Sequence, residues 1–281
     1  MLQNRLLSVF ILAVFFVFGG CSEKASMPGK AFEGKIVQKI VIHGNALKDL
    51  AKESGDSAGG NKDMSALMGG MNLKADMTMH VRADKVAVET SMLGGLVSMR
   101  QIIDRNARKM TMIIPMSKQA VVMDLSEMDK VRGELDDSLR KNEGIFDSLK
   151  NAVPKATGRK EEINGFDCEE YTMKTDIQGK TMDVEMWITQ DTRLKFYDVV
   201  RDAIMGKKRT GGGGLEQLMA AFEPFAGQGK VAVKMSLKVD GKEFLSSEMT
   251  EMVEEKTEDK YFEIPKDYEI KQQSLNDTTS D

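Results

Sequence analysis

The sequence predicts a mainly β protein of α+β class: a strongly curved antiparallel sheet of about eleven strands, a half-open barrel with helices over its concave face. Three observations carry this. Residues 71–84 alternate Met71, Leu73, Ala75, Met77, Met79, Val81 and Ala83 with polar side chains without a break, the period of a half-buried strand. Similar short runs recur, joined by pairs such as Asn164-Gly165 and Asp240-Gly241 that suit tight hairpins. Two longer stretches instead space their apolar residues by three and four, so helices interrupt the strands.

In chain order, Phe32, Ile36, Ile40 and Ile42 line one side of a first strand, with Lys35, Lys39 and His43 on the other. A loop from Gly44 to Gly70 follows, rich in glycine, within which Met64, Leu67, Met68 and Met71 keep helical spacing. After 71–84, Asp84-Lys85 turns into Val86, Val88, Thr90 and Met92, and strands over 96–104, 109–116 and 119–124 continue the meander. Ser126-Glu127-Met128-Asp129 resembles a capping box, and Met128, Val131, Leu135, Leu139, Phe146 and Leu149 form the stripe behind it, bounded by Pro154.

Strands then resume over 157–163 and 166–175. In 181–189, Met182, Val184, Met186 and Ile188 share a face and Trp187 points the other way. Residues 194–225 read as helical, with Leu215, Leu218, Met219 and Phe222 at i, i+3, i+4 and i+7. Val231, Val233, Met235, Leu237 and Val239 open a last hairpin, and 261–265 reads as a short edge strand because Pro265 lacks a ladder donor. A sheet this large must curl, and its dry side takes Ile36, Ile40, Leu73, Met77, Met79, Val184, Met186, Val233 and Leu237. The expected organisation is a signal peptide over 1–20, a tether over 21–31, one β domain over 32–270 and a disordered tail over 271–281.

The N-terminal segment sets the location. Arg5 precedes an apolar run from Leu6, too short to span a bilayer comfortably, that ends in Phe18-Gly19-Gly20-Cys21. A cysteine behind two small residues is the signature of a lipoprotein signal, in which the chain is cut before Cys21 and its thiol is acylated. Each buried methylene contributes about 0.8 kcal/mol, so two or three acyl chains hold stably where one does not. Ser22 rather than aspartate after the cysteine resembles the sorting signal for the outer membrane of the bacterial envelope.

Composition narrows the function classes. A net charge of −4, with no basic cluster interleaved with aromatics, argues against nucleic acid as a partner. With Cys21 acylated, Cys168 has no partner for an intramolecular disulfide and reads as a buried thiol. No Gly-x-Ser-x-Gly, His-x-x-x-His or phosphate-binding Gly-Lys-Ser/Thr occurs. His43 and His80 fall on the polar side of strands about 23 Å apart along the strand direction, too far to share a metal. No catalytic residue, metal site or cofactor is therefore expected.

Several blocks resemble a known group: Phe32-Glu33-Gly34-Lys35-Ile36, the run from Thr157 to Tyr171 around Asn164-Gly165, Glu185-Met186-Trp187-Ile188-Thr189, and Phe262-Glu263-Ile264-Pro265-Lys266-Asp267-Tyr268. They resemble a bacterial envelope family catalogued as a domain of unknown function, itself similar to the lipoprotein carriers LolA and LolB. That resemblance implies a curved antiparallel sheet with helices over its concave face, and it brings no catalytic residues.

Three functional readings stay open. The 22 methionines mostly occupy apolar slots of the alternation, and a Met-lined concave face suits a lipid or other apolar ligand. The residues that would line it are Ile36, Ile40, Met77, Met79, Met186 and Met235, under a lid bearing Met64, Met68, Leu218, Met219 and Phe222. A structural or assembly lipoprotein acting through protein contacts is the second reading. The third is a Cu(I) protein, since thioethers are soft ligands.

Overall fold

The computed structural model describes residues 32–44, 72–125, 152, 154–177, 179–195 and 230–272. Within them run β1 (Gly34–Ile42), β2 (Leu73–Val81), β3 (Lys85–Met92), β4 (Val97–Asp104), β5 (Lys109–Ile114), β6 (Gln119–Asp124), β7 (Lys155–Ile163), β8 (Phe166–Ile177), β9 (Lys180–Gln190), β10 (Lys230–Val239), β11 (Lys242–Glu254) and β12 (Glu269–Gln272). All belong to one open sheet in the order β12-β6-β5-β4-β3-β2-β1-β11-β10-β9-β8-β7. Two meanders, β1 to β6 and β7 to β11, are thus joined by the antiparallel pairing of β1 with β11.

This corrects the expected half-barrel closed by helices. Among the described residues the sheet is open, with β12 and β7 as its edges, and no α-helix lies over either face. The helical elements there are short 3-10 turns, such as those at Leu93–Gly95 and Asp259–Phe262. The lid residues Met64, Met68, Leu218, Met219 and Phe222, the stripe over 128–149, the stretch 196–225 and the whole segment 1–31 lie outside the described residues.

The expected final strand over 261–265 is also replaced. Tyr261 and Phe262 sit in a 3-10 turn, and the edge strand begins at Glu269, pairing with β6 in parallel. Pro265 supplies no N–H for a ladder, and the aromatics beside it gain more by packing flat on the sheet. β12 reaches Gln272, so residues 271 and 272, expected in the tail, are in the sheet.

Cross-strand register defines two faces, since directly opposed residues point the same way. On the first, Ile36 faces Met79 and Met252, Gln38 faces Met77 and Met249, and Ile40 faces Ala75 and Ser247. Ile36, Met77, Met79, Val233 and Met249 are essentially fully buried there, as the period-two pattern requires. Opposite Val37 and Gln38 the β11 register shifts, leaving Thr250 as the extra residue of a bulge. Close to it, a Cβ on Gly34 would collide with the carbonyl of Val253, so only glycine lets β1 and β11 approach there.

The opposite face was expected to be wet, and over β3 to β6 it is not. Its outward positions hold Ala87, Ile102, Ile113 and Ala120, all buried beneath Phe262, with Tyr261, Ile264 and Tyr268 packed alongside. The chain from 255 to 268 is a strap that crosses this face from β11 to the β6 edge. Thr257 fastens its start, donating from its hydroxyl to the Val81 carbonyl at 3.1 Å and from its backbone N–H to Glu33.

Candidate functional site

The six residues expected to line a binding face are all on the first face, and the register places them around one polar side chain. Along β1, Ile36, Gln38 and Ile40 succeed one another inward. Met77 stands opposite Gln38 and Met79 opposite Ile36. Gln38 is 2% exposed, and its Oε1 has no hydrogen-bond partner. Leaving such a group buried and unpaired costs about 1–3 kcal/mol, so its presence needs a reason. Sequence reasoning passed over Gln38, yet it was legible as the polar residue at an inward position between Ile36 and Ile40.

Met186 and Met235 lie farther along the sheet, directly opposite each other. They belong to a continuous cross-strand row, Ile40–Ser247–Met235–Met186–Tyr171, over β1, β11, β10, β9 and β8. At about 4.8 Å per strand the row covers roughly 19 Å.

Tyr171, at its far end, is a wall of a cleft of 560 Å³. Ile188, two residues from Met186 on the same strand face, is another wall, so the apolar face runs into this opening. The cleft itself is polar and acidic, with Glu161, Glu162, Asp167 and Glu169 against Lys160 and Lys230. Tyr171 donates its hydroxyl to Glu169 Oε2 at 3.1 Å. Glu162 and Asp167 face each other across the β7–β8 ladder, a like-charge juxtaposition that is unfavourable unless a cation lies between.

Cys168 also lines the cleft but is not a nucleophile. It is buried, its S–H donates to the Phe166 carbonyl, and burial pushes its thiol up to about 11, with the charges of Asp167 and Glu161 adding to the shift. The wall is kept in shape by an interaction on the other face. Glu170, buried, accepts from Thr157 Oγ1 at 2.6 Å and from Arg159 Nε at 2.7 Å, while the Arg159 guanidinium lies 5.2 Å from the Trp187 ring centroid. This clamp holds the edge strand across its irregular stretch between Ala156 and Lys160. The hairpin tip is tied down as well, Asn164 Nδ2 donating to Glu248 Oε1 at 2.9 Å and to the Met249 carbonyl at 2.8 Å.

The histidines remain apart. His80 pairs across from Lys35, and His43 follows the far end of β1, where its Nε2 is 3.2 Å from Glu243 Oε2 without the angle of a hydrogen bond. Among the described residues no group of three His, Cys, Asp or Glu could hold a metal. His80 was expected on a solvated side but is buried under Tyr261 of the strap. Beside it Glu89 accepts from Arg100 Nε at 2.7 Å. His80 Nε2 stands 3.7 Å from the same carboxylate, an electrostatic contact rather than a hydrogen bond. This cluster locks the strap to the sheet and offers no open position.

Residues 55–268, well over half of the 281-residue chain, match the family described as Domain of unknown function (DUF4412). The chain belongs to that family. The DUF4412 match takes in β2 through the strap, including the cleft, and ends before β12; β1, with Gln38, precedes it. Among curated proteins none matches the chain. Among the described residues no helix is long and apolar enough to cross a membrane, which leaves strands out of account.

Proposed function

We propose that this DUF4412 protein is a lipid-anchored protein of the bacterial outer membrane that binds an apolar ligand, an acyl chain or lipid, on the face around Gln38. It acts by binding rather than by catalysis. The observation that carries the reading is the unpaired Oε1 of Gln38, enclosed by Ile36, Ile40, Met77, Met79 and Met249. An apolar surface with one convergent acceptor is the usual chemistry of a small-ligand site, where apolar area supplies affinity and the polar atom fixes orientation. Methionine suits the task because its unbranched thioether adapts to chains of different shape. Cys21 holds the body at the membrane where such ligands reside.

The test uses the full-length chain extracted from membranes in a mild non-ionic detergent and analysed by native mass spectrometry. The reading expects non-covalent fatty acid or phospholipid in addition to the covalent acyl mass on Cys21, and several-fold less of it in Gln38→Leu. A spectrum without bound lipid, or with a copper adduct or a partner protein in its place, overturns it. Attachment is tested separately: palmitate labelling that persists in Cys21→Ala refutes the anchor.

A further inference from the structure

We infer that the cleft between β7, β8 and β9 receives a primary ammonium group, carried on the polar end of the ligand whose apolar part lies along the Met186–Met235 row; the assignment to that ligand rests on the binding reading above. Position is the first argument. Tyr171 and Ile188 belong both to the apolar face and to the cleft wall, so a molecule lying on the row has its end in this opening. The volume of 560 Å³ falls within the range of small-ligand sites.

Charge is the second argument. The walls carry four carboxylates and two ammonium groups, and the opposed pair Glu162 and Asp167 makes no ion pair among the described residues. A cation between them would turn a repulsion into two charge-assisted hydrogen bonds. Among the described residues no metal-type cluster forms here, which leaves an organic ammonium as the fitting cation.

The third argument is independent of the carboxylates. Thr189 is 3% exposed, lines the cleft, and its hydroxyl has no hydrogen-bond partner among the described residues. A buried hydroxyl facing a cavity without a partner is a vacant acceptor, and an ammonium has three donors to share among it and the two carboxylates. An amine-bearing lipid headgroup and a free polyamine present the same chemistry.

The experiment adds phosphatidylethanolamine, phosphatidylglycerol or spermidine to the detergent-extracted full-length protein and quantifies each complex by native mass spectrometry. Wild type is compared with the double variant Glu162→Gln/Asp167→Asn. Both side chains are exposed and mutually repelling, so the variant is expected to fold at least as well, checked by its melting temperature. The inference expects phosphatidylethanolamine to be retained at least fivefold over phosphatidylglycerol, with that preference gone in the variant while total lipid stays similar. Equal retention of both lipids by the wild type overturns the ammonium assignment and leaves the apolar site standing. Spermidine binding with no lipid bound refutes the lipid-head assignment together with the apolar site. Binding of none of the three refutes both.

Discussion

Tyr261 lies flat against His80, ring centroids 3.5 Å apart and planes 11° from parallel. The pair joins the strap to the middle of the sheet, and contacts on either side reinforce it. Arg82 forms an ion pair with Asp259 and holds its guanidinium 4.2 Å from the Phe262 ring centroid, while Arg100 donates to the Lys260 carbonyl. Truncating Tyr261 to alanine removes the stack and uncovers a buried imidazole. Tyr261→Ala is expected to lose about 1–3 kcal/mol in urea unfolding followed by Trp187 fluorescence. Amide exchange should quicken in β12 before β1, since the strap delivers β12 to its edge. A variant as stable as wild type would mean that the strap rests on the sheet without holding it.

The same cluster makes the fold acid-sensitive. The carboxyl of Glu89 is held below its ordinary 4.5 by His80 first and Arg100 next, against burial acting the other way. A carboxylate whose value is depressed on folding adds stability that is present above its unfolded value and is lost as pH falls through the folded one. The Glu89 contribution is therefore complete above about pH 4.5 and disappears below it. Glu89→Gln should be less stable than wild type at pH 7 and flatter with pH on the acid side. Parallel stability curves for the two proteins from pH 7 down to pH 3 would show that Glu89 takes no part.

Gly34 gives a sharper steric test. It stands opposite Glu254 at the β1–β11 junction that unites the two meanders, and a methyl there meets the Val253 carbonyl and the Phe32 ring. Backbone on one side cannot yield as a flexible side chain would. Gly34→Ala is expected to destabilise by about 3 kcal/mol, at the upper end for overpacking, although alanine is ordinarily the milder residue in a strand. Thermal unfolding of Gly34→Ala beside Gly158→Ala, whose added methyl meets open space, separates this clash from a general effect of losing glycine.

How far the sequence carried these conclusions follows from what each feature depends on. Local period fixes which way a side chain points, so Met77, Met79, Met186 and Val233 were placed inward correctly from alternation alone. The hairpins were legible because Asn164 and Asp240 take positive φ before glycine, the chemistry of their turns. Tyr261 over His80 joins positions far apart in the chain, and no local pattern announces it. The alternation of Ala87 with Glu89, and of Ile102 with Arg100, does hint that the outer face is half apolar. The cleft escaped notice because it arises where Thr157–Arg159 leave the ladder, a departure that the run from Lys155 to Glu162 does not signal. Gln38 was readable and was not read, because a strand pattern is judged by its majority and the exception carries the information.

Gln38 therefore supplies the decisive experiment on stability against function. Its Oε1 is buried without a partner among methionines and isoleucines, so it opposes folding in the free protein. Replacing an unsatisfied buried polar group by an apolar one of similar size removes the desolvation penalty, while packing is nearly preserved. Gln38→Leu is expected to raise unfolding stability by about 1–2 kcal/mol in protein stripped of lipid. The same change takes away the acceptor that orients the bound ligand, so lipid retention should fall several-fold as the melting temperature rises. Opposite movement of the two quantities is the mark of a group kept for binding at the expense of the fold. If Gln38→Leu is instead destabilised, the amide is part of the packing of the core and the binding face has lost its polar determinant. If the variant gains stability and keeps its lipid in full, the ligand does not use Gln38.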